Sequence, residues 1–114
     1  MQVIQNQENQ RIAFIRNNII FKEGDEQVIG IKIGDCFFGK SPRVVGKIIN
    51  GFIYTLEGEI IGQSMHYAAP NEKFATKEQL TEAWAILSSI DDHACPWITI
   101  TENWSARPLH EHLI

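Results

Sequence analysis

The fold class follows from the stretch VVGKIINGFIYTL, residues 44–56, in which two runs of β-branched and aromatic residues flank Asn50-Gly51. Both central residues of a type I′ turn need a positive φ angle, and Asn-Gly is a pair that supplies them readily. Apolar β-branched runs on either side of such a pair are typical of a β-hairpin. We therefore predict that the chain reverses at Asn50-Gly51 between two antiparallel strands.

Two dipeptides upstream, Asn17-Asn18 and Gly34-Asp35, suit the same kind of reversal. Between them, residues 28–33 place isoleucines at every second position, which indicates a strand with one buried face. We find no internal repeat in the sequence. The pattern predicts an α+β fold whose first two thirds form an antiparallel β-meander or a half-open barrel of five to seven strands.

One helix is predicted after the strands, over about 76–90. Thr76 and Gln79 have the spacing of a capping box, in which the hydroxyl and the amide each bond to the other residue's backbone. Apolar residues then recur at helical spacing and form one stripe, made of Leu80, Ala83, Trp84, Leu87 and Ile90. We expect this stripe, including Trp84, to pack on the sheet.

The two ends of the chain lack a long periodic pattern. Residues 1–10 are rich in Gln and Asn, and we expect them to be partly frayed. Residues 97–101 are predicted to form one strand after the helix, with Trp97 in the core, and residues 102–114 to form an irregular tail. A chain of 114 residues fits one domain, 1–114, with a core that needs no disulfide.

Composition and hydropathy favour a globular protein, since 44% of residues are hydrophobic and 21% are charged. The sequence has neither the pattern of a signal peptide nor an apolar run of membrane-spanning length. We therefore expect a cytoplasmic protein that does not contact a membrane. In that compartment Cys36 and Cys95 are expected to stay as reduced, buried thiols.

The C-terminal half of the chain is acidic, because residues 51–114 carry a net charge of about −6 and residues 1–50 about +2. An acidic surface suits a protein partner with a basic face. Trp104 lies in the predicted tail, where it either anchors a partner, together with Glu102 and Glu111, or pins the tail to its own domain. The sequence thus predicts a small non-catalytic protein-binding domain, of the inhibitor or immunity type.

A nucleic-acid-binding β-barrel is the first alternative. Four cations, Lys32, Lys40, Arg43 and Lys47, form the main basic cluster of the sequence, and Phe37 and Phe38 lie beside them. Cations that meet phosphates beside aromatic rings that stack on bases are typical of single-strand-binding modules. We therefore add Lys40 and Arg43 to the candidate binding residues.

A small metal-dependent enzyme is the second alternative. Two pairs of potential nitrogen and sulfur ligands occur, His93 with Cys95 and His110 with His112. Their spacing matches none of the usual zinc patterns, although residues two apart share a face of an extended tail. Cys95 as a nucleophile would follow a helix C-terminus, where the dipole opposes a thiolate. The sequence therefore assigns no catalytic residue, no metal site and no cofactor.

Overall fold

Eight antiparallel strands form a closed barrel in the computed structural model, which describes residues 2–66, 75–91 and 96–113. The strands are β1 (Gln2–Gln5), β2 (Arg11–Arg16), β3 (Ile19–Lys22), β4 (Val28–Ile33), β5 (Cys36–Phe38), β6 (Val44–Ile49), β7 (Phe52–Thr55) and β8 (Ile60–His66). Each strand pairs with the next, and β8 pairs with β1. The antiparallel α+β class is confirmed in coarse terms, but the prediction of five to seven strands in a half-open barrel is wrong.

Strand β1 is the one that the sequence does not predict. Val3 and Ile4 are fully buried, and β1 pairs with both β2 and β8. The expectation that residues 1–10 are partly frayed is therefore wrong for Gln2–Gln5. The sequence pattern of this strand is weak, because its two outer positions are polar and only its two central positions are apolar. Without β1 the sheet has an edge, which explains why a half-open barrel was expected.

Three two-residue turns make one end of the barrel, here called the upper rim: Asn17-Asn18, Gly34-Asp35 and Asn50-Gly51. The φ angles of Asn50 and Gly51 are 51° and 83°, as a type I′ turn requires. Asn17 and Asn18 also have positive φ angles, whereas at the third turn only Gly34 does, as in a type II′ turn. All three reversals predicted from the dipeptides are confirmed.

Longer connections make the opposite end, here called the lower rim, at residues 6–10, 23–27, 39–43 and 56–59. A short helix, α2 (Leu109–Leu113), closes this end. The side chains of Leu109 and Leu113 are buried in the barrel interior, and the carbonyl of Leu113 accepts a 2.7 Å hydrogen bond from the backbone N–H of Lys40. The predicted irregular tail over 102–114 is therefore wrong at its end.

The barrel interior pairs a large residue with a small one, and this arrangement recurs four times. The facing pairs are Ile4 with Ala13, Ile20 with Gly30, Phe37 with Gly46, and Ile53 with Gly62. In each case a β-bulge follows the large residue, so successive bulges are 16 or 17 residues apart. The structure thus contains a fourfold repeat of bulged hairpins that the sequence did not reveal.

The small residues of these pairs make room for backbone as well as side chains. A Cβ atom at Gly46 would lie 2.5 Å from the carbonyl oxygen of Tyr54, and one at Gly30 would lie 2.5 Å from that of Phe38. Both carbonyls belong to residues beside a bulge in the next hairpin. Close approach of neighbouring backbones therefore requires glycine here.

The long helix, α1 (Lys77–Ser89), crosses the outer wall of the barrel and begins where the capping box predicts. Gln79 N–H donates to the hydroxyl of Thr76 at 3.1 Å, and Thr76 N–H donates to the Gln79 side chain at 2.9 Å. Gln79 Nε2 also donates to the carbonyl of Glu26, and the N–H of Asp91 donates to that of Pro42. Hydrogen bonds to two lower-rim loops therefore hold both ends of α1.

Only part of the predicted stripe of α1 packs on the barrel. Ala83 is buried and Ile86, Leu87 and Ile90 are half-buried against the outer wall, which includes Phe21 and Phe38. Trp84 is 64% exposed and Leu80 is 45% exposed, so their expected burial is wrong. A straight helix contacts a convex wall only along a narrow strip. Leu80 and Trp84 lie to one side of this strip and therefore stay exposed.

The segment after α1 is extended, but the predicted strand over 97–101 is absent. From Thr101 onward its backbone is hydrogen-bonded to Gly58 and Ile60 near the lower rim, and a parallel bridge joins Trp104 to Ile60. Ile98 is buried, whereas Trp97 is 91% exposed, so the predicted core position of Trp97 is wrong. Successive side chains of an extended segment point to opposite sides. Because Ile98 points inward, the adjacent Trp97 points to solvent.

Cys36 is disulfide-bonded, so the expectation of a reduced thiol at this position is wrong. The sequence contains one other cysteine, Cys95, which lies outside the described residues. Cys36 is buried and belongs to the hydrophobic cluster of the outer wall, which also includes Ala83 of α1. A core of this size can fold without a disulfide, but its size does not exclude one.

We expect Gly46→Ala to lower the free energy of unfolding by roughly 1 to 3 kcal/mol, because the added methyl group must displace the backbone of β7. Urea denaturation measures the loss. Gly34→Asn is the matched control, since nothing lies within 4 Å of its Cβ position and Asn tolerates the φ of +59°. An equal loss in both variants would show that the contact with Tyr54 does not require glycine.

Candidate binding site

A groove of about 390 Å³ lies between α1 and the upper part of β3 and β4. Its apolar lining comes from Leu80, Ala83, Trp84 and Leu87 on the helix and from Ile19, Ile31 and Ile33 on the barrel. Lys32 is its charged lining residue among those described, and Asn17 and Asn18 close its upper end. We call this surface the α1 groove.

A second cleft, of about 520 Å³, lies at the upper rim beside the Asn50-Gly51 turn. Its polar lining comes from Gln2, Lys32, Asp35, Lys47 and Asn50, and its apolar lining includes Ile48, Ile49, Trp97 and Ile98. We call it the rim cleft. Two ammonium groups and one carboxylate give it a net charge of about +1.

Lys32 lines both cavities, which makes them neighbours at one end of the barrel. The register of β4 and β5 puts Lys32 opposite Phe37, on the inward side of the wall at its upper end. Trp84 and Trp97 stand in the two cavities and are the most exposed large apolar side chains that the structure describes. The upper rim therefore combines exposed indole rings with cationic groups.

The four cations predicted as one basic cluster lie at opposite ends of the barrel. Lys32 and Lys47 are at the upper rim, whereas Lys40 and Arg43 are exposed in the lower-rim loop 39–43. The rings of Phe37 and Phe38 are buried, at 1% and 0% exposure, so they are not accessible for stacking on bases. The site envisaged for nucleic acid from the sequence is therefore not assembled.

The predicted C-terminal binding residues lie near the lower rim. Glu102 is exposed, but Trp104 is half-buried, and the backbone on either side of it is hydrogen-bonded to Ile60. Glu111 is half-exposed and lies 3.6 Å from the Arg107 guanidinium, one helical turn away. These contacts fit the alternative in which Trp104 holds the tail to its own domain.

A serine and a histidine meet where the tail enters α2. Ser105 Oγ lies 3.1 Å from His112 Nε2 and accepts a 3.2 Å hydrogen bond from the backbone N–H of Arg107. Burial, and next the nearby Arg107 guanidinium, lower the pKa of His112 below its ordinary value, while Glu57 and Glu59 act in the opposite direction. A neutral imidazole bonded to a serine can activate a nucleophile. Here the pair instead closes the turn that places Leu109 and Leu113.

The candidate metal ligands His110 and His112 do not form a site with other ligands in the part of the chain that the structure describes. His110 is exposed, whereas His112 is half-buried and hydrogen-bonded to Ser105. The tail is helical here, so residues two apart point in different directions and do not share a face. Among the described residues no three His, Cys, Asp or Glu side chains form a metal-binding group, and His93 and Cys95 lie outside them.

We expect stability to fall as the pH drops below about 6.5, because the unfolded state then protonates His112 while the folded state resists it. Above that value both states hold a neutral imidazole, and this contribution is fully present. Urea midpoints across this pH range measure the effect in the wild type and in His112→Gln, in which it should shrink. His110→Gln is the matched control, and an equal pH dependence in wild type and His112→Gln would contradict the assignment.

Comparison of this chain with protein-family models, curated proteins and solved structures finds no match. The assignment of a function therefore depends on the geometry described above.

Proposed function

We propose that this chain is a non-catalytic protein-binding domain that holds a segment of its partner in the α1 groove. The observation that carries this proposal is the exposure of Trp84 and Leu80 beside an apolar groove of about 390 Å³. Exposed tryptophan at the edge of an apolar concavity is typical of interface hot spots. A helix with spaced apolar anchors is the segment that such a groove accommodates.

A charge beside the groove favours an acidic flank on the partner's segment. Lys77 precedes Trp84 by seven residues, which puts both on the same face of α1, whereas Lys32 borders the groove but faces inward in the register. The basic-faced partner expected from the sequence would suit the acidic tail instead. There Trp104 is half-buried and Glu111 has an ion pair, so the tail offers fewer free contacts than the groove.

The inhibitor or immunity type of binding protein belongs to this proposal as its more specific form. No helix in the described residues is long and apolar enough to span a bilayer. The cytoplasmic location expected from the sequence does not enter this proposal, since disulfides such as the one at Cys36 persist mainly in oxidising compartments.

Selection of displayed helical peptides on the immobilised protein tests the proposal. We expect enriched peptides to carry apolar residues at helical spacing together with Asp or Glu, and to bind in solution by fluorescence anisotropy. Trp84→Ala should weaken the binding of these peptides at least tenfold, because a central tryptophan anchor is lost. Its melting temperature should stay close to that of the wild type, since the side chain is 64% exposed.

Leu80→Ala and Leu56→Ala form the matched pair for this experiment. Their side chains are equally exposed, at 45% and 44%, but only Leu80 lines the α1 groove. Binding should weaken in Leu80→Ala and stay unchanged in Leu56→Ala. Peptides that bind all of these variants as tightly as the wild type would show that the groove is not the binding surface.

A further inference from the structure

We infer that the rim cleft binds a nucleoside phosphate, either as a free nucleotide or as part of a single-stranded nucleic acid. This inference goes beyond the proposed protein-binding function and uses a separate cavity, which shares only Lys32 and the adjoining Gly34-Asp35 turn with the α1 groove. Its volume of about 520 Å³ is in the range of ligand sites in proteins.

The first support is the state of the two lysines. Lys32 and Lys47 are both half-buried, and neither has an ion pair or a side-chain hydrogen bond among the described residues. The carboxylate of Asp35 also lines the cleft, but Asp35 is exposed. The register places Lys32 opposite Phe37 and Lys47 opposite Cys36, so the two lysines reach the cleft from opposite sides of the wall. Two ammonium groups at one cleft offer charge-assisted hydrogen bonds to the oxygens of a phosphate.

The second support is Trp97. Its side chain is 91% exposed although the adjacent Ile98 is buried, so the backbone holds the indole ring at the surface of the cleft. An indole ring provides a flat face on which a nucleobase can stack, and such stacking tolerates any base. The same ring beside a cationic side chain is the combination that single-strand-binding proteins use.

The third support is the rigidity of the surrounding backbone. The cleft borders the Asn50-Gly51 turn, whose Gly51 carbonyl accepts a 2.7 Å hydrogen bond from Ser64 N–H. Asn50 and Gln2 add amide groups that can bond to the edge of a base or to a ribose hydroxyl. A cation, a stacking face and an amide are therefore held on a preformed rim.

Nuclear magnetic resonance of the tryptophan indole N–H groups tests this inference on the full chain, with the Trp97 signal identified by its loss in Trp97→Phe. The probes are adenosine monophosphate, adenosine, ribose 5-phosphate and an eight-residue oligothymidylate. We expect adenosine monophosphate to shift the Trp97 signal, and adenosine and ribose 5-phosphate each to bind at least tenfold more weakly. Affinity should also fall with salt, since the lysines contact phosphate.

Lys47→Gln and Trp97→Ala should each weaken the binding of adenosine monophosphate at least tenfold, measured for both variants by calorimetry because Trp97→Ala has no Trp97 signal. Lys22→Gln is the control, because Lys22 is half-buried on the opposite half of the barrel. Trp84→Ala should bind the nucleotide normally, which separates this site from the α1 groove. If the oligonucleotide binds more tightly than the mononucleotide and with a steeper salt dependence, the inference holds with nucleic acid as the source; equal affinities support it with the free nucleotide.

Three results would overturn the inference. The first is the absence of any shift of the Trp97 signal with millimolar nucleotide. The second is a shift that adenosine or ribose 5-phosphate produces as effectively as the monophosphate, because the site would then not recognise a base and a phosphate together. The third is unchanged affinity in Lys47→Gln, which would place any binding outside the rim cleft.

Discussion

The pairing of one bulky side chain with one small residue inside each hairpin is the constraint on which this barrel depends. Eight strands enclose an interior only wide enough for side chains, so two large residues cannot face each other on the same level. Ile20 opposite Gly30 and Phe37 opposite Gly46 meet this limit, and the bulge after each large residue turns the wall inward. Closure of β8 on β1 follows from four such steps.

The sequence revealed the parts of the fold that local chemistry determines. The φ angles of Asn50-Gly51 and the capping box of Thr76 are set within a few residues, and the structure confirmed both. Strand number and closure depend on contacts between distant segments, which periodicity does not encode. The sequence does not reveal the repeat, because equivalent positions of the four hairpins share side-chain size and not residue identity. The small residue, for example, is Ala13 in the first hairpin and Gly30 in the second.

The candidate sites were predicted poorly for a related reason. Trp84 and Trp97 were assigned to the core because large aromatic residues usually lie there, and helical spacing could not show which side of α1 faces a convex wall. For Trp97 the error is a shift of one residue, since the adjacent Ile98 is buried instead. The sequence did contain one relevant signal. Each tryptophan has more apolar neighbours than the buried side of its helix or extended segment can accommodate.

Closure of the sheet also limits how this protein can be recognised. Every strand of the barrel has a neighbour on both sides, so its ladder leaves no row of unpaired N–H and C=O groups for an added strand. Recognition by strand addition depends on main-chain groups and is tolerant of the partner's sequence. In the two binding sites proposed above, selectivity therefore rests on the shape and charge of a few side chains, and a single substitution at the surface is expected to change which molecules bind.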